Sequence, residues 1–474
     1  MDTSPSPTAG SPRTSSPPPN PAGPAATATA EVERSAIRKI SIRLVPFVAL
    51  MFFINYLDRT AIGFAGPNGM TKDLGLTAAQ FGFASGIFFA GYILLEVPSN
   101  MALHKFGARA WLARIMVSWG LVAVLFTWVQ SYTQLAWLRF LLGVMEAGFF
   151  PGAILFLSLW VPARYRSRIL GLFYLAQPLT TVIGAPLAGW FINQHGLLGL
   201  EGWRVMFLGV GIPAVIVGVL AWFVLVDDPH RAPWLTDAER SWLTGELAAE
   251  NAAGDAGHGK HAGLGYAFRS GRVWILSLIY FGFVYGLYAL AFFLPTIISG
   301  FEAQFGTKLD TMGKAWVTAI PYLPAAIVLY VVTTAAAKRG VKPANIYLPA
   351  FIGGASIPLA LQAGSPVLTV AIITVTACAI FSALPVFWTV PTQFLTGMAA
   401  AAGIALINTF GNVAGFAAPY ITGWLKDATG GYQAPMILVG ALMILSGVLM
   451  LLLVRLGRVT TAEGAAHTAA PAGH

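Results

Sequence analysis

Residues 42–64 have the sequence IRLVPFVALMFFINYLDRTAIGF, in which only Arg43, Asp58 and Arg59 are charged. A hydrocarbon core about 30 Å thick requires a helix of about 20 apolar residues, so this run is long enough to span a membrane. Similar runs recur along the rest of the chain. The twelve predicted spans are approximately 42–64, 80–103, 110–130, 135–158, 169–193, 203–226, 273–298, 315–336, 344–363, 366–388, 400–424 and 433–455.

The composition supports the same class of protein. Of the 474 residues, 57% are hydrophobic and only 10% are charged, and the mean hydropathy is +0.71. A soluble protein with twelve such runs would lack the polar residues needed to cover its surface. We therefore predict an all-α membrane protein with twelve transmembrane helices in two pseudo-symmetric six-helix bundles. The single cysteine, Cys378, excludes an intramolecular disulfide.

The polar stretches divide the chain into two halves of similar length. The halves share a weak repeat, because GAPLAGWF at 184–191 is similar to AAPYITGWL at 417–425. Internal repeats of this kind occur in many secondary transporters, whose substrate site lies where the repeats meet. The predicted organisation is a disordered cytoplasmic tail at 1–41, six-helix bundles at 42–226 and 273–455, a cytoplasmic linker with a surface helix at 227–272, and a cytoplasmic tail at 456–474.

Lys and Arg residues concentrate on one side of the predicted membrane. The segments on the side of residue 1 hold most of them, whereas the other side holds only Lys72, Arg204, Lys308, Lys314 and Lys426. The positive-inside rule then places both termini in the cytoplasm of a multi-pass cell-membrane protein. The net charge of +9 follows from this topology, so we expect no nucleic-acid partner. We expect a monomer in the lipid bilayer.

Four charged residues lie inside predicted spans: Asp58 and Arg59 in the first, and Arg139 and Glu146 in the fourth. A charge at the centre of a membrane costs roughly 3 kcal/mol even on lenient scales, which makes it a candidate functional residue. Arg139 and Glu146 lie about two turns apart on one helix face. Their depths allow Asp58 to meet Arg139 and Arg59 to approach Glu146. Two static ion pairs between the helices are the structural alternative.

The chemistry of these groups predicts coupled binding of an anion and a proton. A guanidinium binds a carboxylate through two parallel hydrogen bonds, so Arg59 and Arg139 are candidate substrate-binding residues. An arriving anion would draw an arginine away from Asp58 or Glu146, and the freed carboxylate would then take a proton. Binding of the two ligands would be thermodynamically linked. The repeat-related positions of the second half are apolar, so the scaffold alone does not require these charges.

Other polar residues complete the predicted site. The uncharged or aromatic candidates for substrate binding are Tyr56, Tyr92, Gln177, Trp388, Asn408 and Asn412. Intramembrane amides also serve as plain hydrogen bonds between helices, and Trp388 is also suited to be an interfacial anchor. Glu96, Lys105 and Arg109 are predicted gating residues, with Glu96 favoured as a partner of the basic loop that follows it rather than as a substrate contact.

Several segments resemble known transporters. NMALHKFGARA at 100–110 resembles the loop signature of the major facilitator superfamily, although His104 stands where an Asp is often found. The chain is also similar to the anion:cation symporter family in NYLDR at 55–59, RFLLGVMEAGFFPG at 139–152, WVPARYRSRILGLF at 160–173 and the segment 387–420. The resemblance to tartrate, phthalate and sugar-acid permeases implies proton-linked carboxylates at Asp58 and Glu146. It also implies anion binding by Arg59 and Arg139, with Tyr56, Gln177 and Asn408 in the cavity.

The resulting expectation is a secondary active transporter that imports a small organic anion with protons by alternating access. Sugar acids, dicarboxylates and aromatic carboxylates all remain open as substrates. One alternative is an exporter or antiporter for drug-like or aromatic compounds, and another is a membrane sensor that does not transport. We expect neither an enzyme nor a cofactor or metal, because the sequence offers no nucleophile motif or metal-ligand cluster.

Overall fold

The computed structural model describes residues 24–257, 268–391 and 397–456, and within these ranges the regular secondary structure is helical. The helices of the first half are α1 (Pro24–Arg43), α2 (Val45–Ala65), α3 (Met70–Asp73), α4 (Ala78–Phe106), α5 (Ala108–Leu125), α6 (Tyr132–Glu146), α7 (Phe149–Trp160), α8 (Ala163–Ile192) and α9 (Gly202–Val224). Those of the linker and second half are α10 (Asp237–Gly257), α11 (Gly271–Ser299), α12 (Phe301–Phe305), α13 (Thr311–Ala319), α14 (Tyr322–Arg339), α15 (Ala344–Ala360), α16 (Pro366–Phe387), α17 (Gly397–Thr429) and α18 (Gln433–Arg455).

The predicted all-α membrane fold is confirmed. Among the described residues, eleven helical segments are long and apolar enough to cross a membrane, and the shorter apolar helix Ala344–Ala360 completes the predicted twelve. Two spans are interrupted near their middle. The fourth is divided into α6 and α7, and the eighth into α13 and α14.

The predicted tail at 1–41 is corrected by the structure. Residues 24–43 form the helix α1, which buries Ala36 and Ile40. The burial of these two apolar side chains stabilises the helical conformation of a segment that is polar overall. Residues 1–23, the linker residues 258–267 and the tail 457–474 lie outside the described residues.

The linker contains the predicted surface helix, α10, which packs against α1. Thr236 and Glu239 form a reciprocal cap at its start, with the Glu239 carboxylate accepting from the Thr236 amide at 2.8 Å. The same carboxylate accepts from Ser35 and Lys39 at 2.6 Å each. Burial alone would raise the pKa of Glu239, but the hydrogen bonds from Lys39, Ser35 and the Thr236 amide outweigh it and lower the pKa to about 2.

The two halves meet closely at the end of the bundle opposite the chain termini. Here α4 of the first half packs on α17 of the second, and α2 packs on α11. The contact of α4 and α17 requires small residues, because a Cβ on Gly82 would lie 2.1 Å from the Pro419 carbonyl oxygen and one on Gly86 would lie 2.5 Å from that of Phe416. Glycine at both positions allows the two helix backbones to approach this closely.

A polar contact closes the same end. The Asp427 carboxylate, on α17, accepts hydrogen bonds from the backbone amides of Ala78 and Ala79 at 3.3 and 2.7 Å. These amides begin α4, so a residue of one half caps a helix of the other. We call the α4–α17 contact around Gly82, Gly86 and Asp427 the seal. The seal lies at the start of α4, and the open space between the halves lies further along α4 toward the chain termini.

Candidate functional site

An open cavity separates the halves on the terminal side of the seal. Every uncharged residue that the sequence proposes for substrate binding lines it, and so does Arg59. The lining residues are Phe52, Tyr56, Arg59, Tyr92, Glu96, Phe150, Gln177, Tyr280, Val284, Leu287, Tyr288, Leu329, Phe381, Leu384, Pro385, Trp388, Asn408, Gly411 and Asn412. The wall is mostly aromatic and apolar, with few polar groups to orient a ligand, as is typical of small-molecule sites.

Arg59 supplies the positive charge among the described lining residues. Its Nε donates to Glu146 Oε1 at 3.0 Å, its Nη2 donates to the same oxygen, and its Nη1 donates to the Tyr288 hydroxyl at 3.2 Å. The rings of Phe88 and Tyr92 lie 5.0 and 5.2 Å from the guanidinium carbon. Cation–π contact and ion pairing both stabilise this partly buried cation. The Arg59–Glu146 contact is one of the two pairings that the sequence suggests.

Glu146 is placed by the interruption of the fourth span. Helix α6 ends at Glu146, and the chain turns through Gly148, whose φ of 85° lies in the left-handed region that favours glycine. The Ser99 hydroxyl donates to the Ala147 carbonyl at 2.6 Å and receives the Trp111 Nε1 hydrogen at 3.0 Å, so the break is fastened to α4 and α5. Only one oxygen of Glu146 is paired, because its Oε2 is buried without a hydrogen-bond donor.

Asp58 and Arg139 do not form the second suggested pair. The Asp58 side chain is buried, and neither of its oxygens has a hydrogen-bond partner. Arg139 instead donates from Nε to the Ala84 carbonyl at 3.4 Å and from Nη2 to the Ser85 carbonyl at 3.2 Å. The two charges interact electrostatically without direct contact.

Arg139 is also displaced from its predicted role. The side chain is fully buried and does not line the cavity, and its Nη1 has no hydrogen-bond partner. A ligand in this cavity would meet Arg59, whereas Arg139 would act on it only through the field of its charge. The reason is local: the Arg139 side chain turns toward α4, where the Ala84 and Ser85 carbonyls and the ring of Phe88 surround the guanidinium.

Glu96 does not pair with its predicted partner. Its Oε1 accepts from Asn408 Nδ2 at 2.9 Å and its Oε2 accepts from Asn412 Nδ2 at 3.1 Å. The partner of Glu96 is therefore the second half of the protein and not the basic loop that follows it. Because it lines the cavity, Glu96 is also available to a ligand. The two asparagines lie one turn apart on α17, so they present both amides to one carboxylate.

Residues 48–419 match the sequence model of the Major Facilitator Superfamily. The chain belongs to the major facilitator superfamily. It is therefore a multi-pass membrane transporter and not an enzyme.

The names of the similar proteins refer to different transported compounds. A "Putative tartrate transporter" of Agrobacterium vitis is 43% identical over 90% of this chain and 93% of its own length. A "Quinolone resistance transporter" of Acinetobacter baumannii is 37% identical over 87% of this chain and 94% of its own length. A bacterial homolog of the human lysosomal transporter Spinster, in an inward-facing and occupied conformation, has a TM-score of 0.69 at 17% identity, covering 88% of this chain and 98% of that one. This last similarity shows the fold.

The other predicted gating residues of this major facilitator protein lie outside the cavity. The backbone amide of Arg109 donates to Asp227 at 2.7 Å, and its side chain lies 3.9 Å from the same carboxylate. The Lys105 ammonium lies 5.4 Å from the ring of Phe106. Neither residue contacts Glu96, so the three do not form one gate in this conformation.

The sequence reasoning missed most of the second half's contribution. Tyr280 lines the cavity and lies against Trp388, with ring centroids 4.8 Å apart. The Tyr288 hydroxyl accepts a hydrogen bond from Arg59, whereas Tyr285 on the same helix does not line the cavity. The spacing of residues along α11 is the sequence signal that could have identified its cavity-lining face. Val284 follows Tyr280 by four residues, and Leu287 and Tyr288 follow Val284 by three and four, so these residues share one face of α11.

Proposed function

We propose that this transporter imports a small organic anion together with protons, by alternating access of the two halves. The observation that carries the proposal is the cavity guanidinium of Arg59, paired with a half-satisfied Glu146 and placed beside the unpartnered carboxyl of Asp58. The cation provides a carboxylate receptor, and the two carboxyls provide sites for protons. The similarity to a named tartrate transporter and the motifs of the anion:cation symporter family support the same class of cargo.

The hydrogen-bond arrangement of Arg59 suggests how the anion enters. A guanidinium has five N–H donors, and in this conformation Glu146 and Tyr288 occupy three of them. An anion first meets the remaining donors and then competes with Glu146 for the rest. When Glu146 loses its ion pair with Arg59, its carboxylate becomes an unpaired buried charge. Protonation of Glu146 removes the free-energy cost of that charge. Anion and proton binding therefore favour each other.

The charges around the cavity support the same coupling. The embedded groups are three carboxyls, Asp58, Glu96 and Glu146, and two guanidiniums, Arg59 and Arg139. With all five ionised, this region is negative before any substrate arrives. A buried carboxyl that has no hydrogen-bond donor beside it has a lower free energy in its neutral form than in its charged form. Asp58 is therefore the first candidate for protonation. Each proton taken up makes the region less repulsive to an anion.

The seal supplies the structural element for alternating access. Its close backbone contacts and the Asp427 cap hold the halves together at one end. Rocking of the halves about the cavity would open this end and close the other, as in other transporters built from two bundles. We further propose that both termini are cytoplasmic and that the protein works as a monomer in the cell membrane, with its Lys and Arg distribution supporting the orientation.

A second candidate function is export or exchange of drug-like aromatic compounds. The aromatic wall, which includes Tyr280, Phe381 and Trp388, and the 37% identity to a named quinolone resistance transporter favour it. The two functions differ in their charge requirement. An anion importer needs Arg59 and accumulates its cargo when the proton gradient is directed inward. A proton-driven exporter uses the same inward proton gradient to move its cargo outward.

The decisive experiment is uptake into proteoliposomes with an imposed inward proton gradient. Gluconate, tartrate, phthalate and hydroxybenzoate represent the three anion classes, and norfloxacin represents the drug-like class. We expect at least one anion to accumulate. In the Asp58→Asn and Glu146→Gln proteins we expect accumulation above equilibrium to disappear while counterflow exchange of the same anion persists.

The matched control is Glu302→Gln, which removes one exposed carboxylate from the loop helix α12 and leaves accumulation intact. Accumulation of a neutral or cationic solute, with none of the anions carried, would disprove organic-anion transport. If both embedded variants still concentrate the anion in response to the gradient, the assignment of coupling to Asp58 and Glu146 is wrong.

A further inference from the structure

Glu96 places a negative charge in a cavity that we propose receives an anion. The carboxylate lies on α4, further from the seal than Gly86, and both of its oxygens are held by amide donors from α17. These two hydrogen bonds satisfy the charged form without neutralising it, because an amide donor carries no net charge. Arg59 interacts electrostatically with Glu96, but its direct partner is Glu146.

The lining of the cavity therefore offers two polar sites of different chemistry. Arg59 offers N–H donors that suit a carboxylate. The group of Glu96, Asn408 and Asn412, which we call the acceptor cluster, offers mainly acceptors, because each amide has committed one N–H to Glu96 and retains its oxygen. A ligand in the cavity meets donors at Arg59 and a negative acceptor surface at the acceptor cluster. The groups that it presents to these two sites must differ in the same way.

We propose that the acceptor cluster is a specificity determinant that receives hydroxyl or ammonium groups of the substrate and rejects a second carboxylate. This inference rests on the proposed organic-anion transport and narrows its substrate class. The preferred cargo is a monocarboxylate that also carries hydrogen-bond donors. A hydroxyl group donates to Glu96, whereas a second carboxylate meets like charge and has no hydrogen to donate.

A purely structural role makes a different prediction. Glu96 also links the two halves through Asn408 and Asn412, and such a link needs only acceptor oxygens of suitable size. Replacement by Gln retains the shape and one acceptor oxygen but removes the charge. A structural link would therefore affect all substrates alike, whereas a specificity determinant changes their ratio.

The test uses matched pairs of substrates that differ only at one end. Threonate and tartrate share four carbons and two inner hydroxyl-bearing carbons, but one ends in a hydroxymethyl group and the other in a second carboxylate. Gluconate with glucarate, and 3-hydroxybenzoate with isophthalate, extend the comparison. For each pair the measurement is the ratio of kcat/KM for uptake into proteoliposomes at pH 7.

For the wild-type protein we expect the monocarboxylate to be favoured by at least about tenfold in every pair that is carried, since like charges in a partly buried site repel strongly. In Glu96→Gln the ratio should move toward the dicarboxylate by about tenfold or more, whereas Glu96→Asp should retain the wild-type preference. The exposed Glu302→Gln protein is the control and should leave the ratio unchanged.

The outcomes separate this inference from the proposed function. A wild-type protein that carries the dicarboxylate of a pair as well as its partner overturns the inference and leaves anion transport standing. An unchanged ratio in a folded Glu96→Gln protein overturns it too. If none of the six anions is carried, the proposed function itself fails for these classes and the inference fails with it. The wild-type ratio decides even if the variants do not fold.

Discussion

The two walls of the cavity are built from different chemistry. The first half contributes Arg59 and Glu96 and keeps Asp58, Arg139 and Glu146 in or behind its wall, whereas the second half contributes uncharged groups such as Tyr280, Trp388 and Asn408. The fold itself is repeated, so the scaffold does not cause this difference. It indicates a division of labour in which one bundle handles charge and protons and the other shapes the space around the cargo.

The repeat makes the contrast sharper. The position related to Asp58 is near Ala291, and in the structure the Ala291 carbonyl lies against Gly63, where a Cβ would approach it to 2.9 Å. One half thus uses this level of the membrane for an ionisable group, and the other uses it for close helix packing. If the division is correct, substitutions of Asp58 or Glu146 in the first half should affect coupling, and substitutions in the second wall should affect the affinity for the cargo without changing coupling.

The largest effect is expected at Arg59. Replacement by Ala removes the cavity cation and leaves Glu146 buried without its partner, so uptake should fall by at least about 100-fold and folding stability by about 3–5 kcal/mol. Arg59→Lys retains the charge but not the two parallel N–H donors of the guanidinium, and it should retain only part of the activity. Uptake kinetics and thermal unfolding in detergent measure both effects. Arg240→Lys, on the surface helix α10, is the conservative control. Full activity of Arg59→Ala would remove the basis for assigning charge to the first wall.

A smaller and different effect is expected at Trp388 in the second wall. Its ring packs at 4.8 Å from that of Tyr280 on the cavity surface. Aromatic contacts of this kind contribute about 0.5–1.5 kcal/mol, so Trp388→Ala should raise KM for the transported anion by about three- to tenfold. The ratio of anions to protons transported should stay the same, and simultaneous flux measurements test this. A changed ratio would show that coupling extends into the second wall.

The sequence predicts the class of the protein better than the geometry of its site. Apolar run length determines the twelve spans, and embedded charges identify Asp58, Arg59, Arg139 and Glu146 as exceptional, because both signals are local. The pairings depend on distances between helices that are far apart in sequence. Arg59 meets Glu146 as suggested, but Arg139 finds nearer carbonyls on α4. Glu96 illustrates the same limit, because its partners Asn408 and Asn412 are more than 300 residues away.

A third prediction concerns the seal, where the two halves touch. Asp427→Ala removes a cap that links them, which should favour separation by about 1 kcal/mol and raise the population open at this end about fivefold. Leu198 and Glu302 are both exposed at this end, and each can be replaced by a residue that carries a spin label. The distance between the two spin labels would report the separation of the halves. Asp310→Ala is the matched control, because Asp310 caps α13 within its own half through Gly313 at 2.7 Å. Equal effects of the two substitutions would argue against a specific role for the seal.

The smallest effect on transport is expected for a charge cluster outside the membrane, which joins the linker helix α10 to the first half. Glu239 accepts from Ser35 and Lys39 and joins the linker helix α10 to α1, and its lowered pKa of about 2 shows that folding favours its ionised form. Glu239→Gln should therefore lower stability at pH 7 by about 1–2 kcal/mol while leaving the coupling of anion to proton unchanged. Thermal unfolding in detergent and uptake stoichiometry measure the two properties.

The pH dependence of this effect has a definite sign. The unfolded carboxyl titrates near its ordinary pKa of 4.5 and the folded one near 2, so the unfolded state binds the proton first as the pH falls. The stabilisation by Glu239 is fully present above about pH 4.5 and is lost progressively as the pH falls toward 2. The stability gap between the wild-type and Glu239→Gln proteins should therefore narrow from pH 7 to pH 3. A gap that stays constant would mean that the Glu239 charge does not stabilise the contact, whereas a change in stoichiometry would extend proton handling beyond the cavity wall.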